Sequence, residues 1–308
     1  MKMIKNSFEI PSVWNGIIVL LQALCLFVCF MLLPYVQGWS LLVLGCAFAV
    51  VMNSVYSTIH EAHHRILFPQ RSLNDLVGII YALFFPAPFH LLRQGHLGHH
   101  RKNRSDDEAF DLYFSKDYKI WKFIAWYSIL FGFYWILVVA SNVILLIVPW
   151  LMRPKFWGWD RTANVFLTHF DPKTFTIMQL ESLAAVVLHI ALPLALGCSW
   201  SNYLIMYLCF GWMWSSLQYV HHYQAERDVL NGAHNLKTFR IIDALWLNHN
   251  LHKTHHQHPT VPWIYLPSVA AQQSTTSASL ASAYFRMWQG PQPALENINR
   301  LFDGDVSR

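Results

Sequence analysis

The sequence predicts an all-α, integral membrane protein, on three observations. Of 308 residues, 55% are hydrophobic and only 13% are charged, a balance that suits a bilayer rather than a water-soluble globule. Several apolar runs approach the roughly 20 residues that cross a bilayer as helix. One five-residue word, H-x-x-H-H, occurs three times, each time beside an apolar run. The expected architecture is a single domain over residues 1–308. It has about four transmembrane helices in two hairpins, further re-entrant or interfacial helices, and a cytoplasmic histidine-rich cap.

Gly16 to Pro34 and Trp39 to Tyr56 form the first hairpin, around the uncharged link Tyr35-Val-Gln-Gly. The acidic Glu9 and the lack of a small-residue cleavage site mark the first run as a retained span, not a removed signal peptide. Lys2 and Lys5 precede the hairpin and Arg65 and Arg71 follow it, which places both ends inside by the positive-inside rule. Leu76 to Leu92 is apolar but interrupted by Pro86 and Pro88. A full crossing there would put the first two histidine words on opposite faces, so the run is expected to be re-entrant or interfacial.

Trp121 to Trp150 would measure roughly 45 Å as one helix, too long for an upright span and too short for two. Lys116, Lys119 and Lys122 precede it and Arg153, Lys155 and Arg161 follow. Both ends are therefore expected inside, with a kinked or hairpin excursion near Ser141-Asn142. Ile177 to Leu196 and Trp200 to Tyr219 make the second hairpin around Gly197-Cys-Ser, and Gln272 to Tyr284 suits a surface helix. Gly290 onward (290–308) reads as a polar, loosely docked tail. Cys25, Cys29, Cys46, Cys198 and Cys209 all lie in apolar segments with no C-x-x-C pair, as inert buried thiols do.

The words are His60-Glu-Ala-His-His64, His96-Leu-Gly-His-His100 and His252-Lys-Thr-His-His256. In a helix, residues i and i+4 share a face, so His60 and His64 can address one metal while His63 points elsewhere. In the other two words all three imidazoles, His96, His99 and His100, then His252, His255 and His256, are expected to converge. Two, three and three make eight nitrogen ligands, more than the four of a tetrahedral zinc. The count favours a pair of metals; imidazole donors alone suit iron, copper, zinc or nickel. The net charge of +5 gathers around these words, as in Arg93, Arg101, Lys102 and Arg104. Such a face suits anionic head groups or an acidic redox partner, and no nucleic-acid partner is expected.

On these words and two apolar hairpins, the chain resembles the membrane-bound fatty acid desaturase superfamily, which includes alkane monooxygenases, carotenoid ketolases and fatty acid decarboxylases. The resemblance implies a non-haem diiron centre, two Fe ions held by histidines, that uses O2 and two electrons on an unactivated C–H bond. It adds a ligand at the end of the fourth span. There Gln218-Tyr-Val-His-His222 stands where relatives carry Asn-x-x-x-His, so His222 matches and Gln218 departs. His234 in Asn-Gly-Ala-His-Asn resembles a ketolase stretch and is a candidate ligand, as Pro262-Trp-Ile-Tyr-Leu-Pro resembles the ketolase ending. Asp228, Asn231, Asn235, Asp243, Asn248 and Asn250 are candidate orienters of ligand rings or, equally, turn and cap residues; Asp106, Asp107 and Glu108 are similarly open. His90, His169, His189, His249 and His258 are expected to be ordinary packed histidines.

The expected activity is fatty acid desaturation in a bacterial inner membrane, with the boxes on the cytoplasmic side. Hydroxylation or ketolation of a hydrocarbon or carotenoid, and decarboxylation to a terminal alkene, are the alternatives. No cytochrome b5 domain, ferredoxin cysteines or G-x-G-x-x-G site is present in the sequence, so a ferredoxin- or rubredoxin-like donor is expected as partner beside membrane lipid and the fatty acyl substrate. The first word also satisfies H-E-x-x-H, the zinc metalloprotease pattern, but its Asp-Gly pair, Asp303-Gly304, lies in the tail.

Overall fold

The structure, a computed structural model, describes residues 8–115, 117–158, 167, 170–273 and 277–295. Lys2, Lys5, Lys116, Arg161, His169 and Asp303-Gly304 fall outside them.

Helix α1 (Ser12–Leu32) follows Pro11, and α2 (Gly38–His63) returns antiparallel to it after a tight turn. Apolar side chains such as Val13, Leu20 and Phe27 face outward, where acyl chains rather than water must receive them. Polar residues of α1 turn inward instead. The Gln22 amide donates to Ser54 Oγ at 2.8 Å and accepts from Thr58 Oγ1 at 3.0 Å, locking α1 to α2. Asn15 donates to the Leu67 carbonyl at 2.8 Å and accepts from Trp263 Nε1, also at 2.8 Å, tying α1 to the cap.

The proline-interrupted run is a bent pair, α3 (Arg71–Phe84) and α4 (Phe89–Lys102), turned through 102°. The bend is tight enough that a Cβ on Gly78 would lie 2.4 Å from the Phe89 ring, so only glycine lets the two arms close. The next run is also bent, by 89°, into α5 (Lys119–Leu130) and α6 (Phe133–Ile147). Its break falls at Gly132, not near Ser141-Asn142 as the sequence suggested. Gly132 takes φ +93 and sits against the Trp212 backbone, a conformation other residues resist. Asn142 stays within α6, and its amide reaches the Pro86 carbonyl at 2.8 Å.

Helix α7 (Phe175–Leu196) ends at Gly197, which takes a left-handed φ of 62, and Ser199 caps the start of α8 (Trp200–Leu217) by accepting from Asn202 N. The expected hairpin is splayed: α7 packs on α6, whereas α8 lies along α2, and the α3–α4 pair wedges against both α2 and α7. Helices α1, α2 and α7 are each long and apolar enough to cross a membrane, and α3–α4 and α5–α6 qualify only as bent pairs. An aromatic core of Phe30, Phe48, Phe85, Trp135, Tyr207, Phe210 and Trp214 fills the space between the helices.

Beyond α8 the chain builds a cap over one end of the bundle from α9 (Arg240–Leu245), α10 (His252–Gln257), α11 (Leu266–Ala270) and α12 (Leu280–Met287). Two short parallel pairs stitch it: β1 (Leu112–Tyr113) with β4 (Gln292–Pro293), and β2 (Leu236–Lys237) with β3 (Ala278–Ser279). The expected surface helix thus starts later, at Leu280. The tail's first residues are docked: Gln292 N donates to Asp111 O at 2.7 Å, Ala294 N to Tyr113 O at 2.9 Å, and Tyr223 Oη to Gly290 O at 2.8 Å.

Candidate metal centre

Every histidine word lies where a bundle helix meets the cap. His60 sits in the last turn of α2 and His64 caps it; His96, His99 and His100 line the last turns of α4; His252, His255 and His256 occupy α10. His222 follows α8 in a turn closed by His222 N donating to Tyr219 O at 3.0 Å.

These nine residues form two groups. His60, His64, His96, His100 and His255 make one, and His99, His222, His252 and His256 the other, with the ring nitrogens of each within 4.8 Å of one another. The three imidazoles of α4 and of α10 do not converge on one point, contrary to the sequence expectation. The i, i+4 members stay together, and the member at i+3 crosses to the other group. With about 100° per residue, position i+3 points about 100° away from i+4, so one short helix faces two centres at once. The groups adjoin: the His100 and His256 rings stack 4.2 Å apart across the boundary.

Within the first group, His96 Nε2 lies 2.7 Å from His64 Nε2 and 3.1 Å from His100 Nε2, and His100 Nε2 lies 3.0 Å from His255 Nε2. Within the second, His222 Nε2 is 3.2 Å from His99 Nε2 and 3.1 Å from His252 Nε2, which is 3.2 Å from His256 Nε2. An imidazole nitrogen has one in-plane position, occupied by either a proton or a lone pair, so it cannot serve two such neighbours by hydrogen bonding. A shared cation can. For a metal–imidazole bond of about 2.1 Å, adjacent ligands of an octahedron stand about 3.0 Å apart and those of a tetrahedron about 3.4 Å. The spacings, 2.7–3.2 Å, are of the size that ligands of one cation adopt, and the five donors of the first group exceed a tetrahedral site.

The rings are prepared as ligands. Burial, reinforced by the facing histidines, holds His222, His252, His255 and His256 well below the ordinary imidazole value, so each keeps a free lone pair at neutral pH. Two rings have their tautomer set from behind: His99 Nδ1 bonds Glu108 Oε2 at 2.8 Å and His222 Nδ1 donates to Gly232 O at 2.8 Å. Both then turn Nε2 toward the group. A buried lattice fixes this backing. Arg104 pairs with Asp111 and donates to Tyr219 Oη at 2.9 Å, while Tyr219 Oη donates to the Glu108 carbonyl at 2.9 Å. Asn103 donates to Gly232 O at 3.3 Å.

Other candidates take other places. His234 stands outside both groups, its Nε2 3.2 Å from the Tyr223 carbonyl. His63 is buried against Phe89, with centroids 5.3 Å apart, and also lies outside them. Gln218 donates back to Trp214 O at 3.0 Å. Asp228, Asn231, Asn235, Asp243, Asn248 and Asn250 hold turns together, as when Asn235 binds Thr254 and Asn250 binds Leu236 O. Of the three acids after the second word, Glu108 meets a ligand ring, that of His99.

His249, expected to be ordinary, belongs to the site. Its ring lies 4.4 Å from His60 and 5.0 Å from His252, touching both groups, and burial pushes it down to about 4. Leu247 and Asn248 before it both take left-handed φ, 49 and 54; such strain in non-glycine residues clusters at functional sites. With Ser57, Glu61, Leu247, His255 and Leu266 it lines a small cavity beside His60. Glu61 there accepts from Trp263 N at 3.1 Å.

Compared with known proteins, the chain matches the family model described as fatty acid desaturase over residues 37–288. Among curated proteins none matches it.

Proposed function

Because the chain belongs to the fatty acid desaturase family, an oxidoreductase family that works on lipid, we propose that it is a membrane-bound, O2-dependent diiron desaturase of fatty acyl chains. The observation that carries this reading is the pair of adjoining all-histidine groups assembled from all three words and His222. Bound there, two irons would supply O2 activation and the removal of hydrogen from an unactivated C–H bond. The overall change balances as R–CH2–CH2–R′ + O2 + 2 e⁻ + 2 H⁺ → R–CH=CH–R′ + 2 H2O, so half of the four electrons come from substrate and half from a donor.

The chain's own part is to hold and to exclude. His60, His64, His96, His100 and His255 would hold one iron, and His99, His222, His252 and His256 the other. Glu108 and Gly232 orient two of these rings, and His60, His222, His252, His255 and His256 are buried beneath the cap. His234 would act at most behind His221, whose Nδ1 faces its carbonyl at 3.3 Å. A zinc metalloprotease needs three protein ligands and an open position, which sits poorly with a group of five histidines that includes His60.

The donor would be a small acidic ferredoxin- or rubredoxin-like protein, since Arg101, Lys237 and Arg240 are exposed on the cap side. That side would be cytoplasmic, a reading the charge pattern supports, and the membrane would be a bacterial inner membrane. The test is turnover by the iron-loaded, detergent-purified protein with a reduced ferredoxin and a panel of fatty acyl substrates. An internal alkene supports desaturation; an alcohol, ketone or one-carbon-shorter terminal alkene would reassign the reaction. His255→Ala should abolish turnover, and full activity in that variant would defeat the site assignment.

A further inference from the structure

The break between α3 and α4 frees backbone polar groups among buried residues, Phe85 to Phe89, and each unsatisfied group there is costly. Partners come from three distant helices. His189 Nε2 donates to the Leu83 carbonyl at 2.8 Å and is itself held by Tyr203 Oη on Nδ1 at 2.6 Å. Tyr207 Oη donates to Phe84 O at 3.1 Å and Asn142 Nδ2 to Pro86 O at 2.8 Å.

The start of α4 is the most demanding point. Its N-cap is Pro88, which has no side chain able to accept from the first turn, so the helix's own sequence leaves the amides and positive dipole end uncompensated. Glu181, 5% exposed in the second turn of α7, supplies what is missing: Oε2 accepts from His90 N at 3.1 Å and Oε1 bonds His90 Nδ1 at 2.7 Å. One turn on, Gln94 donates to Thr174 Oγ1 at 2.6 Å and accepts from Asp171 N at 2.8 Å, at the start of α7. Two residues later comes His96.

We propose that Glu181 is a positioning residue for the second histidine word: it caps α4 from another helix and so fixes the depth and rotation at which His96, His99 and His100 meet the other ligands. This rests on the reading that the histidine groups hold metal. It adds that an ionisable residue inside the membrane, about six residues of helix from the nearest ligand, governs metal affinity. A plain packing role would change stability and leave affinity alone.

The test measures iron affinity by chelator competition, with the melting temperature of the metal-free protein recorded in parallel. Glu181→Leu should bind iron ten- to a hundredfold more weakly than wild type, the range expected when a ligand's support is lost. Glu181→Gln keeps an acceptor for His90 N and should stay within a few-fold of wild type. Wild-type affinity in a folded Glu181→Leu, or a Gln variant as weak as Leu, overturns the proposal. Should the Leu variant fail to fold, His90→Ala decides, because it removes the side-chain half of the contact; several-fold weaker binding supports the proposal and unchanged binding overturns it. If wild type itself bound no iron, the metal reading would have failed instead.

Discussion

His99 and His100 are adjacent in the chain, yet their rings serve different groups, their centroids 6.0 Å apart and their planes 68° from parallel. The same division separates His255 from His256. The helices α4 and α10 thereby contribute a ring to each of the two groups.

Loss of one donor should therefore be unequal. His99→Ala reduces a four-histidine group to three, whereas His100→Ala reduces five to four. His99→Ala is expected to lose close to one iron per chain on mild chelation, while His100→Ala keeps most of its metal, as read by plasma mass spectrometry. Equal losses would contradict the five-plus-four division.

Glu108 holds the His99 ring at 2.8 Å through Nδ1. Glu108→Ala should weaken iron binding about ten- to a hundredfold and leave the melting temperature of the metal-free protein little changed. Chelator competition checks the first half and calorimetry the second.

Gln22 bridges α1 and α2 through Ser54 and Thr58. Gln22→Leu removes both bonds inside the membrane, where such contacts contribute about 0.6 kcal/mol on average and up to ~1.7. Its melting temperature should fall by a few degrees with metal content unchanged. A wild-type melting temperature would show that this polar bridge does not hold the first hairpin.

Docking of an acidic donor on the exposed basic residues predicts slower reduction of the irons as ionic strength rises, because surface attraction is screened within about 10 Å at 0.1 M salt. Stopped-flow reduction at several salt concentrations checks this, and a salt-independent rate would count against the docking surface.

Much of the site was legible because its ligand words repeat, and repetition beside apolar runs is what a shared metal centre requires. The first hairpin was legible for the same local reason, length and hydropathy. Other features depended on contacts between distant parts of the chain. The bend at Gly132 was available as the lone glycine of its apolar run, but Ser141-Asn142 is more polar; the polar amide of Asn142 is satisfied by the distant Pro86 carbonyl, a partner the local sequence does not reveal. His249 looked ordinary because it stands outside any H-x-x-H-H word, and the strained turn that delivers it has no sequence signature. Glu108 was one of three acids after the second word, and which of them turns back on His99 is decided by the buried Arg104–Asp111–Tyr219 lattice.

The central claim, that the two groups hold a pair of irons, is tested most directly by the metal content of detergent-purified protein expressed with iron. The account predicts close to two irons per chain and negligible zinc. About one zinc and no iron would contradict it.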